Sequence, residues 1–253
     1  MSSGASAWPV VVTRDEPADG PLSRELRALG LAVLGWRVLS VGPAAETSAL
    51  TAALARLNEF GWLVFASQHA VAEMVRRVPV PPADVQIAAV GARTAQALTG
   101  SGWPVSLVPG EHTAEALVAA LAPRLAPGTK VLFPAGSRSL PTIREGLTAA
   151  GAAVTQVDTY STRSAPLDVR TCRDWVGRRA IGAVTFTSPS AVEELDRALG
   201  PRTFDELLES AAAITLGPTT GRTLAARGFP SVLAVPGTLS GMARTTYRLL
   251  RMR

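Results

Sequence analysis

The sequence predicts an α/β protein of two similar domains, each a parallel sheet flanked by helices. Three observations predict it. Short β-branched runs alternate with amphipathic stretches, the pattern of βα units around parallel strands. The amphipathic stretches stop at glycines, as helices do. Blocks of the first half recur in the second in one order and at nearly constant spacing, the mark of a duplicated architecture.

In chain order, residues 10–13 begin with three valines and read as a strand. Leu22, Leu26 and Leu29 recur at i, i+4 and i+7 before Gly30, a helix with its stop signal. Trp36-Arg37-Val38-Leu39-Ser40-Val41 alternates in polarity and is compatible with a strand. Residues 62–66, 86–90 and 130–133 are the next strands, and Ile143 and Leu147 before Gly151 repeat the strand, helix, glycine plan. Residues 183–187, 212–216 and 231–235 complete the series.

The duplication is specific in its residues. Phe65-Ala66-Ser67-Gln68-His69-Ala70-Val71 answers to Phe186-Thr187-Ser188-Pro189-Ser190-Ala191-Val192, and Val90-Gly91-Ala92-Arg93-Thr94 to Leu216-Gly217-Pro218-Thr219-Thr220. Val108-Pro109 answers to Val235-Pro236, and Val10-Val11-Val12 to Val131-Leu132-Phe133. In each repeat a strand ends in Ser, Thr or Gly just before a helix, where parallel α/β sheets place their ligands.

Composition narrows the functional classes. With 253 residues and 47% hydrophobic content the chain can build real cores. No run approaches the roughly 18 apolar residues of a membrane span, and Met1 to Ala7 lacks the charged and apolar regions of a leader, so a cytosolic protein is expected. One cysteine, Cys172, excludes an internal disulfide, and the only histidines, His69 and His112, stand far apart, so neither metal nor redox cofactor is expected. The net charge is +5 and every basic residue except Lys130 is arginine, a residue suited to carboxylates and phosphates. Dense basic runs interleaved with aromatics are missing, so nucleic acid is not expected as a partner. Neither Gly-x-Gly-x-x-Gly nor Gly-x-x-x-x-Gly-Lys-Ser/Thr is present, which argues against a nucleotide-dependent enzyme.

These blocks, together with Asp158-Thr159-Tyr160-Ser161-Thr162, resemble the uroporphyrinogen-III synthase family from about residue 10 to residue 250. The resemblance implies a discontinuous first domain, residues 1–35 and 163–253, and a second domain, residues 42–157. Residues 36–41 and 158–162 would form a two-stranded antiparallel linker, with the ligand cleft between the domains. It further implies a cofactor-free lyase, expected to be monomeric, that closes hydroxymethylbilane, a linear tetrapyrrole with eight carboxylates, into uroporphyrinogen III with loss of water and inversion of ring D. The alternative is a non-enzymatic ligand-sensing module of the same fold, cut from a regulatory protein.

Ser67, Gly91, Ser188 and Gly217 sit where helix N-termini would offer free N–H groups to carboxylates. With them, His69, Thr94, Pro189 and Ser190 are the candidate substrate-binding residues. The plainer role for Ser67, Thr94, Ser188 and Thr219 is that of helix caps. By resemblance, Tyr160 is the candidate proton donor to the departing hydroxyl, and Thr219 and Thr220 are its catalytic companions, binding carboxylates or the leaving group. Tyr247, among Leu249 and Leu250, reads as structural, and His112 as a cap or a solvent-facing residue.

Overall fold

The computed structural model describes residues 8–252. Residues 1–7 and 253 lie outside them, and with them the stretch read for a leader and both ends of the expected first domain.

The first elements are β1 (Val10–Val12), α1 (Pro21–Ala28), β2 (Val33–Gly35), β3 (Leu39–Pro43), α2 (Ser48–Ala55), β4 (Trp62–Phe65) and α3 (Gln68–Arg77). There follow β5 (Gln86–Ala89), α4 (Ala92–Gly100), α5 (Ala114–Leu121), β6 (Lys130–Gly136), α6 (Thr142–Ala149) and β7 (Ala153–Ser164). The rest comprises α7 (Val169–Gly177), β8 (Ala183–Phe186), α8 (Pro189–Leu199), α9 (Pro201–Ser210), β9 (Ala212–Thr215), α10 (Pro218–Ala225), β10 (Val232–Leu233) and α11 (Leu239–Arg251). All seven strands singled out first in the sequence are present, as β1, β4, β5, β6, β8, β9 and β10.

Two five-stranded sheets result, ordered β10-β9-β8-β1-β2 and β3-β7-β6-β4-β5. In the first, β1 runs parallel to β2 and β8, and β9 parallel to β8 and β10. In the second, β4 runs parallel to β5 and β6, and β6 parallel to β7. The described residues divide into two compact units, those up to Ser40 together with those from Arg163 onward, and Val41–Thr162. Both crossings between units fall inside strands, β3 and β7.

Each sheet is buried on both faces, which explains strands that are apolar at every position rather than at alternate ones. In the first unit Val11, Val184 and Phe186 pack with Val192, Leu195 and Phe204 on one face. Val10 and Val12 pack with Leu22, Leu26 and Met242 on the other. In the second unit Leu63, Phe65 and Ile87 meet Met74 and Trp103, while Trp62, Val64 and Phe133 meet Leu117 and Ile143. Trp103 is fully buried, its ring edge-on to Phe65 with 6.0 Å between centroids. Truncating such an aromatic to alanine costs about 3–5 kcal/mol.

The glycine stops work through one local device. After α1, the Gly30 N–H bonds Arg27 O at 2.9 Å and the Leu31 N–H bonds Leu26 O at 3.1 Å. After α6, Gly151 bonds Thr148 O at 2.9 Å and Ala152 bonds Leu147 O at 3.0 Å. Both are Schellman caps, which need a residue in the left-handed region. Gly30 and Gly151 have φ of +80° and +89°.

Two strand boundaries differ from expectation. Residues 36–38 are not strand, and β3 begins at Leu39. The Trp36 N–H bonds Val12 O at 2.9 Å and the Val38 N–H bonds Thr13 O at 3.3 Å, while both side chains are buried in the core of the first unit. The alternation of Trp36-Arg37-Val38 thus records packing beside the end of β1. Residues 158–162 lie within β7, a 12-residue strand that pairs with β6 from Ala153 onward.

Candidate functional site

Because every strand except β3 runs parallel to a neighbour, the C-terminal ends of these strands share one edge of each sheet, and the candidate residues follow those ends. In the second unit, β4 stops at Phe65 and Ser67 caps α3, its Oγ accepting the His69 N–H at 3.1 Å. Gly91 occupies the cap position of α4 in extended conformation, with no side-chain bond. The first turns of α3 and α4 are tied by Gln68 Nε2 donating to Arg93 O at 3.1 Å and Arg93 Nη2 donating to Gln68 Oε1 at 3.3 Å. Beyond β6, Ser139 Oγ accepts the Gly136 N–H and Ser137 Oγ accepts the Thr162 N–H, both at 3.1 Å.

Tyr160 comes to the same edge on β7. Its ring centroid lies 5.4 Å from that of His69, and the Ser67 side chain stands near its hydroxyl. Burial pushes the phenol above its usual pKa of 10, the Ser67 side chain opposes this in part, and the nearby Asp158 charge adds to it. The group therefore stays protonated at neutral pH, as a hydrogen-bond donor must.

In the first unit, β8 ends at Phe186 and Ser188 stands at the cap position of α8 without capping it; its Oγ lies 3.2 Å from Ser190 Oγ. Pro189 fills the first helical position, where no backbone donor is needed. After β9, Gly217 takes the cap position of α10, again without a side-chain bond. Thr219 Oγ1 accepts from Arg222 Nη2 at 3.3 Å. The helix ends after Ser188, Gly91 and Gly217 are therefore not filled by the cap residue's own side chain.

The sequence-predicted residues thus form two groups, each within its own unit: Ser67, His69, Gly91, Thr94 and Tyr160, and Ser188, Pro189, Ser190, Gly217, Thr219 and Thr220. Thr94 and Thr220 hold the same position in their repeats, the third residue of α4 and α10, and both are buried, 6% and 2% exposed. Their side chains serve the helix–sheet interface, leaving Arg93 and Thr219, one residue earlier, to face outward. His112 is exposed and does not cap α5, a task done by Thr113 Oγ1 accepting the Ala116 N–H at 3.1 Å. It leans on Gly91 instead: a Cβ added to Gly91 would lie 3.2 Å from His112 Cβ.

Sequence reasoning passed over two features of these edges. Gly136 and Ser137 adjoin Tyr160, but their neighbourhood depends on the pairing of β6 with β7, and no local pattern announces it. At the end of β1, Arg14 Nε lies 3.5 Å from Glu16 Oε2. Glu16, its side chain 4% exposed, also accepts the Leu22 N–H at 3.1 Å and the Ser23 N–H at 2.8 Å. The N-terminus of α1 is thus filled by the chain's own carboxylate. Among the described residues no three His, Cys, Asp or Glu side chains gather as a metal site, and burial pushes the Cys172 thiol up to about 12.

Parallel α/β sheets with helix N-termini at their strand ends define a class of proteins in which such ends are suited to anionic ligands. A family described as uroporphyrinogen-III synthase HemD matches residues 20–243, and the chain belongs to that family. The uroporphyrinogen-III synthase of Synechococcus elongatus is 34% identical over 162 residues, which are 61% of this chain and 60% of that relative's length. That of Chlorobaculum parvum is 26% identical over 87% of this chain and 89% of its own. The crystal structure of a mutant uroporphyrinogen III synthase from Thermus thermophilus superposes with a TM-score of 0.75, covering 97% of this chain and all of that one at 18% identity. This last likeness concerns the fold. No helix among the described residues is long and apolar enough to cross a membrane.

Proposed function

We infer that the chain carries the activity of its family, closing hydroxymethylbilane to uroporphyrinogen III with loss of water and inversion of ring D. The observation that carries this reading is the phenol of Tyr160, held protonated beside Ser67 and the first turn of α3. Loss of the terminal hydroxyl gives an electrophilic azafulvene, and a phenol donating to the departing oxygen assists that loss modestly. Attack by the substituted carbon of ring D then gives a spiro intermediate, whose reopening and reclosure invert the ring. The intermediate can also close without inversion, so the protein's main task is to hold one folded conformer.

In this reading the open helix ends after Gly91, Ser188 and Gly217, with Ser67, His69, Ser190 and Thr219, bind substrate carboxylates. Pro189 shapes the turn, and Thr94 and Thr220 brace the helices that present these groups. Two donor sets, one per unit, suit a flexible substrate with carboxylates along its whole length, and residues 36–41 and 158–162 would serve as the linker between them. We place the enzyme in the cytoplasm as a monomer without cofactor.

The test is a coupled assay with freshly prepared hydroxymethylbilane and chromatographic separation of isomers I and III, after dialysis against chelator. Isomer III above the spontaneous background is expected. Binding of the bilane without isomer III would favour the sensing module instead, and activity restored only by added metal would overturn the cofactor-free reading.

A further inference from the structure

The residue opposite Tyr160, the reaction's candidate proton donor, is Gly136. Along β6 and β7 the register runs one to one until Ala135 faces Asp158, and the next pair is Gly136 with Tyr160. Thr159 is therefore an extra residue on β7. A bulge of this kind bends a strand and re-aims the side chain beside it. Thr159 is buried, and its Oγ1 donates to Ala135 O at 3.0 Å, pinning the bulge from within.

Re-aimed, the Tyr160 ring lies directly on Gly136. A Cβ added there would fall 2.4 Å from Cζ, 2.6 Å from Cε2 and 2.7 Å from the hydroxyl oxygen. Gly136 is not among the glycines with positive φ, so its backbone would accept any residue, and the three atoms nearest an added Cβ all belong to Tyr160. Nor can the strand retreat easily. The Gly136 N–H bonds Ser139 Oγ at 3.1 Å, and the Ser137 N–H bonds Tyr160 O at 3.1 Å. The ring also neighbours His69, 5.4 Å away between centroids, and Ser67.

We propose that Gly136, with the bulge at Thr159, is the seat that positions the Tyr160 phenol, making Gly136 a positioning residue for the reaction. The proposal rests on Tyr160 as proton donor, and a methyl at position 136 cannot share the seat with the ring, which must leave it.

The experiment compares Gly136→Ala, Tyr160→Phe and the double variant. In Gly136→Ala, Tyr160 should react severalfold faster with tetranitromethane, read by peptide mass, because the ring leaves its half-buried seat. Its kcat should fall to the level of Tyr160→Phe, about 10- to 100-fold below the unchanged protein, with KM little altered. The double variant should fall no further, since both changes remove one interaction. A Gly136→Ala protein with unchanged nitration and unchanged kcat overturns the proposal. If nitration rises while Tyr160→Phe keeps full kcat, the seat stands and the proton-donor reading fails. Should Gly136→Ala fold poorly, the Tyr160→Ala background decides: without the ring, the added methyl should leave Tm unchanged, and a loss of several degrees there shows that something other than Tyr160 excludes it.

Discussion

Ser188 Oγ lies 3.2 Å from Ser190 Oγ and caps no backbone group of α8, whereas Ser67, its counterpart in the other repeat, accepts the His69 N–H at 3.1 Å. Equivalent serines thus have different local duties. Ser67→Ala should cost about 1 kcal/mol of stability, the usual worth of an N-cap. Ser188→Ala should stay within about 0.5 kcal/mol. Each should weaken turnover by roughly tenfold or less, as expected when many hydrogen bonds share a charged ligand. Urea unfolding separates the two stabilities, and complete loss of activity in either folded variant would point to a serine nucleophile.

Tyr160→Phe keeps the ring and removes the donor. The expected outcome is a kcat lower by about 10- to 100-fold, a smaller change in KM and an unaltered ratio of isomers. Unchanged kcat would leave Tyr160 as a packing residue.

The same phenol should leave a signature in stability. Its folded-state pKa is raised above the unfolded value near 10, so the folded protein binds its proton more tightly. The resulting stability is fully present below pH 10 and is lost as pH rises through the folded pKa. Denaturant titrations at pH 9 and at higher pH should show a steeper decline for the unchanged protein than for Tyr160→Phe. Parallel declines would mean that the phenol is not effectively buried.

Thr219 and Thr220 are adjacent but differ in exposure: Thr220 is buried and Thr219 half-buried. Thr219→Ala should raise KM and the share of isomer I, with Tm nearly unchanged. Thr220→Ala should lower Tm as well, because its loss opens the packing beneath α10. Equal effects on Tm would remove the distinction.

The two Schellman caps invite a matched pair of substitutions. Gly30→Ala and Gly151→Ala place a side chain at φ of +80° and +89° and should each cost about 1 kcal/mol or more. Thermal unfolding measures this directly, and a neutral result at either site would show that the cap can rearrange.

Features that depend on a few neighbouring residues were legible in the sequence. The three valines of β1, the leucine spacing of α1 with Gly30 beyond it, and the recurrence of Phe65-Ala66-Ser67 as Phe186-Thr187-Ser188 determined parallel-sheet strands, helix ends and strand-end serines. Local sterics and burial periodicity act within one turn or one strand, so they are written locally. What only the tertiary structure decided depends on partners distant in the chain. Trp36 and Val38 alternate as a strand would, yet their N–H groups go to Val12 and Thr13. Thr94 and Thr220 read as ligand-binding hydroxyls at helix starts, yet both are buried. Glu16 fills the α1 terminus that an external anion would otherwise find open. Tyr160 was visible as a residue, but its seat was not, because the register that sets it on Gly136 joins two strands through a bulge. Register and face are properties of a strand pair, and a single segment carries only its own half of that information.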